Sequence, residues 1–374
     1  MRVGIDIREL ERGKITGIGR YLLSLLEYIE SFGLHNEYIL FANQNTEYMP
    51  KSDNRRHSHR RGRASGMFHM RIKIIPEQVR IIWDQIKLPI ALNREKVDIF
   101  LSPYFKAPLF GVKKKIIVIN DLIPLYTSSF LHKAYFYLLC RLNAKQSDAV
   151  IAISKYTKAE IIKYFKINPH KIKVAYLGVK LLPEHREKTD VLLKYNIKNK
   201  YILAVSSFKP HKNLIGLIRA YNLLPGDVRA NYELVIVARK NRYFYHKVNK
   251  LELDEKIRFI ERVPEDELLC LYKEAVVLVI PSLIEGFGYP ALESFASGTP
   301  VIASNIGALT EVIGEAGMLV DTANPKALAQ AILKVITSTH LREELIALGT
   351  ARVNKFDHME LGKVFLGLLR GAPQ

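Results

Sequence analysis

One stretch constrains the fold of this 374-residue chain more than any other: Ile284-Glu285-Gly286-Phe287-Gly288-Tyr289-Pro290-Ala291-Leu292-Glu293-Ser294-Phe295-Ala296-Ser297-Gly298-Thr299-Pro300. Apolar runs flank it, Val276 to Ile280 before and Pro300 to Ala303 after, each short enough for a strand buried on both faces. Pro290 suits the first position of a helix, where a missing N–H costs nothing, and Gly298 suits its end. The order is therefore strand, glycine-rich loop, short helix, strand. Gly286 and Gly288 let backbone amides approach a ligand, and the helix start behind them adds positive dipole. Glu285 stands before that helix and Glu293 within it. Two acids so placed can face one bound molecule, or can simply complement the macrodipole.

The same alternation runs along the chain. Met1 to Ile7 is a strand pattern, followed by a charged loop from Arg8 to Thr16, then Gly17-Ile18-Gly19 and the helical run Leu22, Leu23, Leu25, Leu26 and Ile29. The third glycine of a dinucleotide fingerprint is missing, because Leu22 stands in its place, so NAD is a weak candidate. The Gly-x-Gly is either a ligand loop or a tight turn. Val79, Ile82, Trp83, Ile86 and Ile90 follow helical spacing, which predicts a core-facing stripe in preference to an interfacial membrane helix. Val97 to Leu101 is a strand ending in Ser102-Pro103-Tyr104, and Ile116 to Ile119 a strand ending in Asn120-Asp121. Polar residues at the carboxyl ends of parallel strands face the ligand crevice. Leu131 to Lys145 reads as an amphipathic helix, and Thr157 to Phe165 as another.

The second half opens with the strand Tyr201 to Val205, then His211-Lys212-Asn213 and a helix from Leu214. Lys212 before a helix N-terminus is placed to neutralise an anion. Alternating strands and helices throughout predict α/β architecture, with parallel sheets covered on both faces. The length suits two domains. The expected division is an N-terminal domain over 1–180, a linker over 181–199, a second domain over 200–355, and a terminal helix over 356–374 that crosses back to the first.

Charge is uneven. The net charge is +19, and residues 1–180 carry 31 Lys and Arg against 15 acids, while residues 181–374 carry 25 against 22. The first half thus suggests an anionic lipid surface, an anionic acceptor or nucleic acid, or else a solvated basic face. Arg55-Arg56-His57-Ser58-His59-Arg60-Arg61-Gly62-Arg63 reads as an exposed loop whose arginines could grip phosphate; they also repel a metal from His57 and His59. It contains no interleaved aromatics, which makes nucleic acid the less natural partner. Two distant cysteines, Cys140 and Cys270, predict reduced thiols and a cytoplasmic protein. No apolar run approaches the roughly 20 residues of a membrane span.

The Glu-Gly-Phe-Gly-x-Pro-x-x-Glu frame, with Gly298, Thr299 and Pro300 behind it, resembles the donor-site signature of the GT4 family of retaining glycosyltransferases. The likeness covers most of residues 1–370. It implies a GT-B fold, two Rossmann-like domains facing across a cleft, and transfer of a hexose from a nucleotide-sugar to a glycan or lipid-linked acceptor in surface polysaccharide synthesis. GDP-mannose is the implied donor. It implies Lys212 and Glu285 as catalytic; Gly19, His211, Val263, Gly286, Phe287, Gly288, Tyr289 and Glu293 as donor-binding; and Tyr104, Asn120 and Asp121 as facing the sugar or acceptor. No metal or other cofactor is expected, since no Asp-x-Asp occurs. Two positions depart from the family: Asn120 stands where a histidine is usual, and His211 where an arginine often precedes the lysine. The charge at 211 is therefore reduced or pH-dependent. The rival readings are a sugar-nucleotide epimerase of related fold and a basic nucleic-acid-binding protein.

Overall fold

Val277–Ile280 and Val301–Ser304, the apolar runs flanking the glycine loop, are neighbouring parallel strands, with every residue of the first buried. The same pattern builds the rest of the molecule. The computed structural model describes residues 1–12, 16–33, 36–50, 69–180, 188–248 and 255–371. The Arg/His-rich stretch 55–63 and the first part of the expected linker, 181–187, lie outside them. The chain divides into two units, Met1–Leu177 with Asp357–Gln374, and Gly178–Phe356.

The first unit is built on strands β1 (Arg2–Asp6), β2 (Glu37–Ala42), β3 (His69–Ile74), β4 (Ile99–Ser102), β5 (Lys114–Ile119), β6 (Ala149–Ala152) and β7 (Ile172–Val174). Their order in the sheet is β3-β2-β1-β4-β5-β6-β7, with parallel pairing throughout. The second unit is built on β8 (Lys200–Ser207), β9 (Tyr232–Arg239), β10 (Ile257–Ile260), β11 (Val277–Ile280), β12 (Val301–Ser304) and β13 (Met318–Val320), in the order β10-β9-β8-β11-β12-β13 and again parallel. Each sheet is doubly wound. The strand order reverses between β1 and β4 in one and between β8 and β11 in the other, and a crevice opens at the carboxyl ends of strands at such a reversal.

Helices bury apolar stripes against both sheets. Leu22, Leu25, Leu26 and Ile29 of the Gly17–Phe32 helix face the core, and so do Leu328, Ile332, Val335 and Ile336 of the Pro325–Thr337 helix. Each such side chain, fully buried, contributes about 1.5–3 kcal/mol. The terminal Glu360–Arg370 helix belongs to the first unit and packs on Gly17–Phe32. Their approach is close enough that a Cβ on Gly362 would meet the Tyr28 ring at 2.5 Å. Within the expected linker, Lys188–Lys194 is a helix of the second unit, tied to it by Lys194 and Glu267 at 2.8 Å.

Two expectations are corrected, and a third reading is sharpened. Arg8, read as the start of a charged loop, is buried with its guanidinium 3.4 Å from the centroid of the Trp83 ring. Its partners are Asp6 at 2.8 Å, Asp84 at 2.6 Å and Glu77 at 3.2 Å. Of the Val79–Ile90 stripe only Trp83 turns inward, its indole donating to the Ile75 carbonyl, whereas Val79, Ile82, Ile86 and Ile90 are exposed. A turn of π-helix over Trp83–Lys87 interrupts the α-helix there, and the wider turn changes which residues share a face. The Phe130–Gln146 helix is apolar on both its inner and outer sides and is not amphipathic. Among the described residues no helix is long and apolar enough to cross a membrane.

Candidate active site

The reversal between β8 and β11 brings together the two loops singled out in the sequence. From the end of β8 the chain runs through a short 3₁₀ turn, Pro210–Lys212, into the Leu214–Asn222 helix. From the end of β11 it runs through the glycine loop into the Tyr289–Ala296 helix. The Leu283 amide donates to the His211 carbonyl at 2.7 Å, which joins the loops directly. A third segment locks them. The Asn213 amide group donates to the Thr322 carbonyl at 2.8 Å, and the Thr322 hydroxyl donates to the Pro281 carbonyl at 3.0 Å.

Lys212 lies against Glu285 within this frame. Its ammonium donates to both carboxylate oxygens, at 2.8 and 2.6 Å, and both side chains remain reachable at 18% and 15% exposure. Each loop ends at a helix that receives no side-chain cap. Asn213 takes a left-handed backbone (φ 50°) and sends its side chain to Thr322, and Gly288 has nothing to offer. Two uncapped helix starts beside a lysine favour an anion. Gly288 is obligatory: its φ is +105°, and a Cβ would sit 2.6 Å from Leu309.

Glu293 is half-buried on its helix and accepts a hydrogen bond from the Tyr272 hydroxyl at 2.7 Å. Tyr272 is wholly buried, and its own carbonyl accepts from the Thr299 hydroxyl. Nothing in the sequence marks Tyr272, because its place in the Glu265–Glu274 helix reads as core. His211 is held neutral. Burial first, then the Lys212 ammonium, push its imidazole down to about 4, which excludes a protonated histidine at neutral pH. Phe287 packs inward against Phe356 and Tyr289, leaving its backbone as the part that faces the loop. The Tyr289 hydroxyl donates to the Gly178 carbonyl at 2.7 Å. Val263 is half-buried between β10 and the Glu265–Glu274 helix. The Gly286 residue is buried within the same loop.

The first-unit residues fare differently. Gly19 is not in a loop. It lies in the first turn of the Gly17–Phe32 helix, with its amide donating to the Thr16 hydroxyl at 3.0 Å, so that amide serves as part of a helix cap. Tyr104 is buried, with its hydroxyl accepting from Arg8 and donating to Asp6, both at 2.9 Å. It completes the Arg8 cluster and does not present a hydroxyl to a sugar. Asn120 and Asp121 are half-buried at the end of β5. Asp121 accepts from the Ile123 amide, while the Asn120 side-chain oxygen is buried with no partner among the described residues, the state of an acceptor awaiting a donor. Among the described residues no group of three or more His, Cys, Asp or Glu side chains could hold a metal ion. Cys140 and Cys270 are buried thiols.

Two doubly wound units, one of them presenting a lysine–carboxylate pair and two open helix starts at its strand reversal, define a protein with a site suited to an anionic ligand. Comparison with known proteins gives the family. Residues 186–352 match the family described as Glycosyl transferases group 1, and residues 15–181 match Glycosyltransferase Family 4. The chain is 31% identical to an O-antigen chain mannosyltransferase of Salmonella typhimurium over 68% of each chain. It is 28% identical to O-antigen chain mannosyltransferase B of Escherichia coli over 91% of this chain and 92% of that one. Among solved structures, sucrose-phosphate synthase of Thermosynechococcus elongatus superposes with a TM-score of 0.76 at 18% identity, over 99% of this chain and 100% of that one. The chain belongs to glycosyltransferase family 4 and has the GT-B fold. It is a glycosyltransferase.

Proposed function

We propose that this enzyme transfers mannose from GDP-mannose, with retention, to a glycan or lipid-linked saccharide in cell-surface polysaccharide synthesis, working at the inner face of the cell membrane. The observation that carries the site assignment is the Lys212–Glu285 pair between two uncapped helix starts. The O-antigen mannosyltransferases it resembles support the choice of sugar and product.

In this reading Glu293, aimed by Tyr272, accepts hydrogen bonds from the ribose hydroxyls of the donor, and Val263 lies by the base. Glu285 and the amides of Gly286, Phe287 and Gly288 hold the sugar. Lys212 exchanges part of its contact with Glu285 for the diphosphate as charge develops there, so stabilisation is directed at the leaving group. His211 contributes a neutral hydrogen-bonding group. The acceptor oxygen bonds to the anomeric carbon on the face from which the diphosphate departs, and the hydroxyl proton passes to the departing phosphate oxygen. Asn120 offers its unpaired oxygen to a hydroxyl of the sugar or acceptor. No step draws on a divalent metal, and activity is expected to survive chelator.

Thermal shift against GDP, UDP, dTDP, ADP and CMP tests the donor site, since a ligand at about 100 times its dissociation constant adds about 2.7 kcal/mol. Stabilisation by GDP that is lost in Glu293→Ala is the expected result. A shift with another diphosphate would reassign the donor. No shift with any of them would refute the site.

A further inference from the structure

The Phe130–Gln146 helix turns Phe136, Cys140, Asn143 and Ala144 into the core. On its opposite side Leu131, Tyr135, Leu138 and Leu142 recur at helical spacing and are exposed by 78%, 47%, 58% and 37%. A surface helix normally carries polar residues there. The segment Val79–Ile90 repeats the pattern, with Val79, Ile82, Ile86 and Ile90 exposed by 49%, 41%, 53% and 47%.

These two faces are neighbours. The Phe105 ring meets Phe136 edge-on at 4.7 Å, and the Lys106 ammonium lies 5.7 Å from the centroid of the Tyr135 ring. The Gln85 side chain binds the same connecting segment, donating to the Ala107 carbonyl and accepting from the Leu109 amide. Phe110 follows at 78% exposure. The charge on both helices has one sign. Phe130–Gln146 contains Lys133, Arg141 and Lys145 and no acid; residues 80–94 contain Arg80, Lys87 and Arg94, and their one acid, Asp84, is buried against Arg8, while Glu77 just before them pairs with Arg80. A second copy of the chain would set cations against cations. An anionic lipid leaflet complements both the aliphatic stripes and the basic fringe.

We propose that this paired helix face seats the first unit on an anionic bilayer, with Leu131, Leu138, Ile86 and Ile90 in the acyl boundary and the lysines and arginines among headgroup phosphates. The proposal deepens, and rests on, the reading of a membrane-borne acceptor, but lipid binding is measured apart from transfer.

The full chain is sedimented with vesicles of phosphatidylcholine, alone and mixed with phosphatidylglycerol. Binding to the mixed vesicles, weakened by salt, is expected. Leu138→Ser with Leu142→Ser, and separately Ile86→Ser with Ile90→Ser, are each expected to lower it about 10-fold or more, with melting temperature and transfer to a water-soluble acceptor unchanged. A dye on Leu138→Cys, a position labelled selectively because Cys140 and Cys270 are buried, is expected to shift to the blue on the mixed vesicles. No binding by the unaltered chain, equal binding by the variants, or an unshifted dye overturns the proposal. A dimer dissolved by Leu138→Ser, without vesicle binding, also overturns it and assigns the face to self-association. Vesicle binding by a chain that transfers no sugar would refute the enzymatic reading and leave the docking surface standing.

Discussion

The two units share a topology and use its reversal point in opposite ways. Between β1 and β4 the crevice is filled from within: Arg8 lies on Trp83 and is ringed by Asp6, Asp84 and Tyr104, all buried. The neighbouring helix start is capped by Thr16. Between β8 and β11 the charged pair stays reachable by solvent and both helix starts lack a side-chain cap. Polar groups sealed from solvent make a structural plug, and polar groups left within its reach make a binding site. The outer surfaces differ in the reverse sense. Among the described residues of the second unit only Leu193, Leu223, Leu283 and Leu348 are large exposed hydrophobics, whereas the first unit exposes two helix faces of them.

The sharpest way to break this contrast is Arg8→Met. Burial disfavours the charge on Arg8, but Asp6, Tyr104 and Asp84 outweigh it and hold the guanidinium firmly protonated. Removing it strands buried carboxylates, and a loss of about 3–5 kcal/mol in urea unfolding is expected. A loss under about 1 kcal/mol would show that the cluster is no plug.

Lys212→Ala should do the opposite, leaving stability nearly unchanged and lowering turnover on the order of 10²-fold or more, as removal of a charge-assisted contact to the leaving group would. Steady-state rates beside melting curves decide it; near-normal turnover would take Lys212 out of the mechanism.

Tyr272→Phe removes only the hydroxyl that aims Glu293. A fall of about 10-fold in kcat/KM is expected, the worth of one hydrogen bond to a charged group. An unchanged value would mean that Glu293 orients itself.

The smallest effect concerns His211. Its imidazole is lowered to about 4 from an ordinary value near 6.5, so the folded state binds fewer protons than the unfolded state between those values. Its contribution to stability is therefore complete above about pH 6.5 and is lost as pH falls toward 4. His211→Gln should flatten that acid-side decline slightly in pH-dependent melting. It should leave the activity profile between about pH 5 and 8 unshifted, because the group is already neutral there; a shifted profile would show a titrating histidine.

Much of the second unit was legible because its signals are local. Glu285, Gly288, Pro290 and Glu293 sit within one strand–loop–helix, where backbone chemistry fixes their relation. Lys212 was legible as the residue before a helix start. Tyr272 was hidden because a buried tyrosine in an apolar stripe looks the same whether or not its hydroxyl has a task. In the first unit, sequence spacing misassigned Ile82, Ile86 and Ile90, because a period shows that residues share a face and not which way that face points. The π turn at Trp83 then separated the tryptophan from its apparent partners.

The sequence by itself determined the alternation of buried strands and helices, the turn that only Gly288 permits, and the excess of positive charge in the first half. These follow from properties that each segment carries wherever it is placed. The tertiary structure alone decided that Lys212 meets Glu285 across 73 residues of chain, that Arg8 is sealed while Asn120 keeps an open oxygen, and that two apolar stripes lie side by side facing outward. Those outcomes depend on which strands are neighbours and on which polar groups find partners, and both are settled by long-range packing.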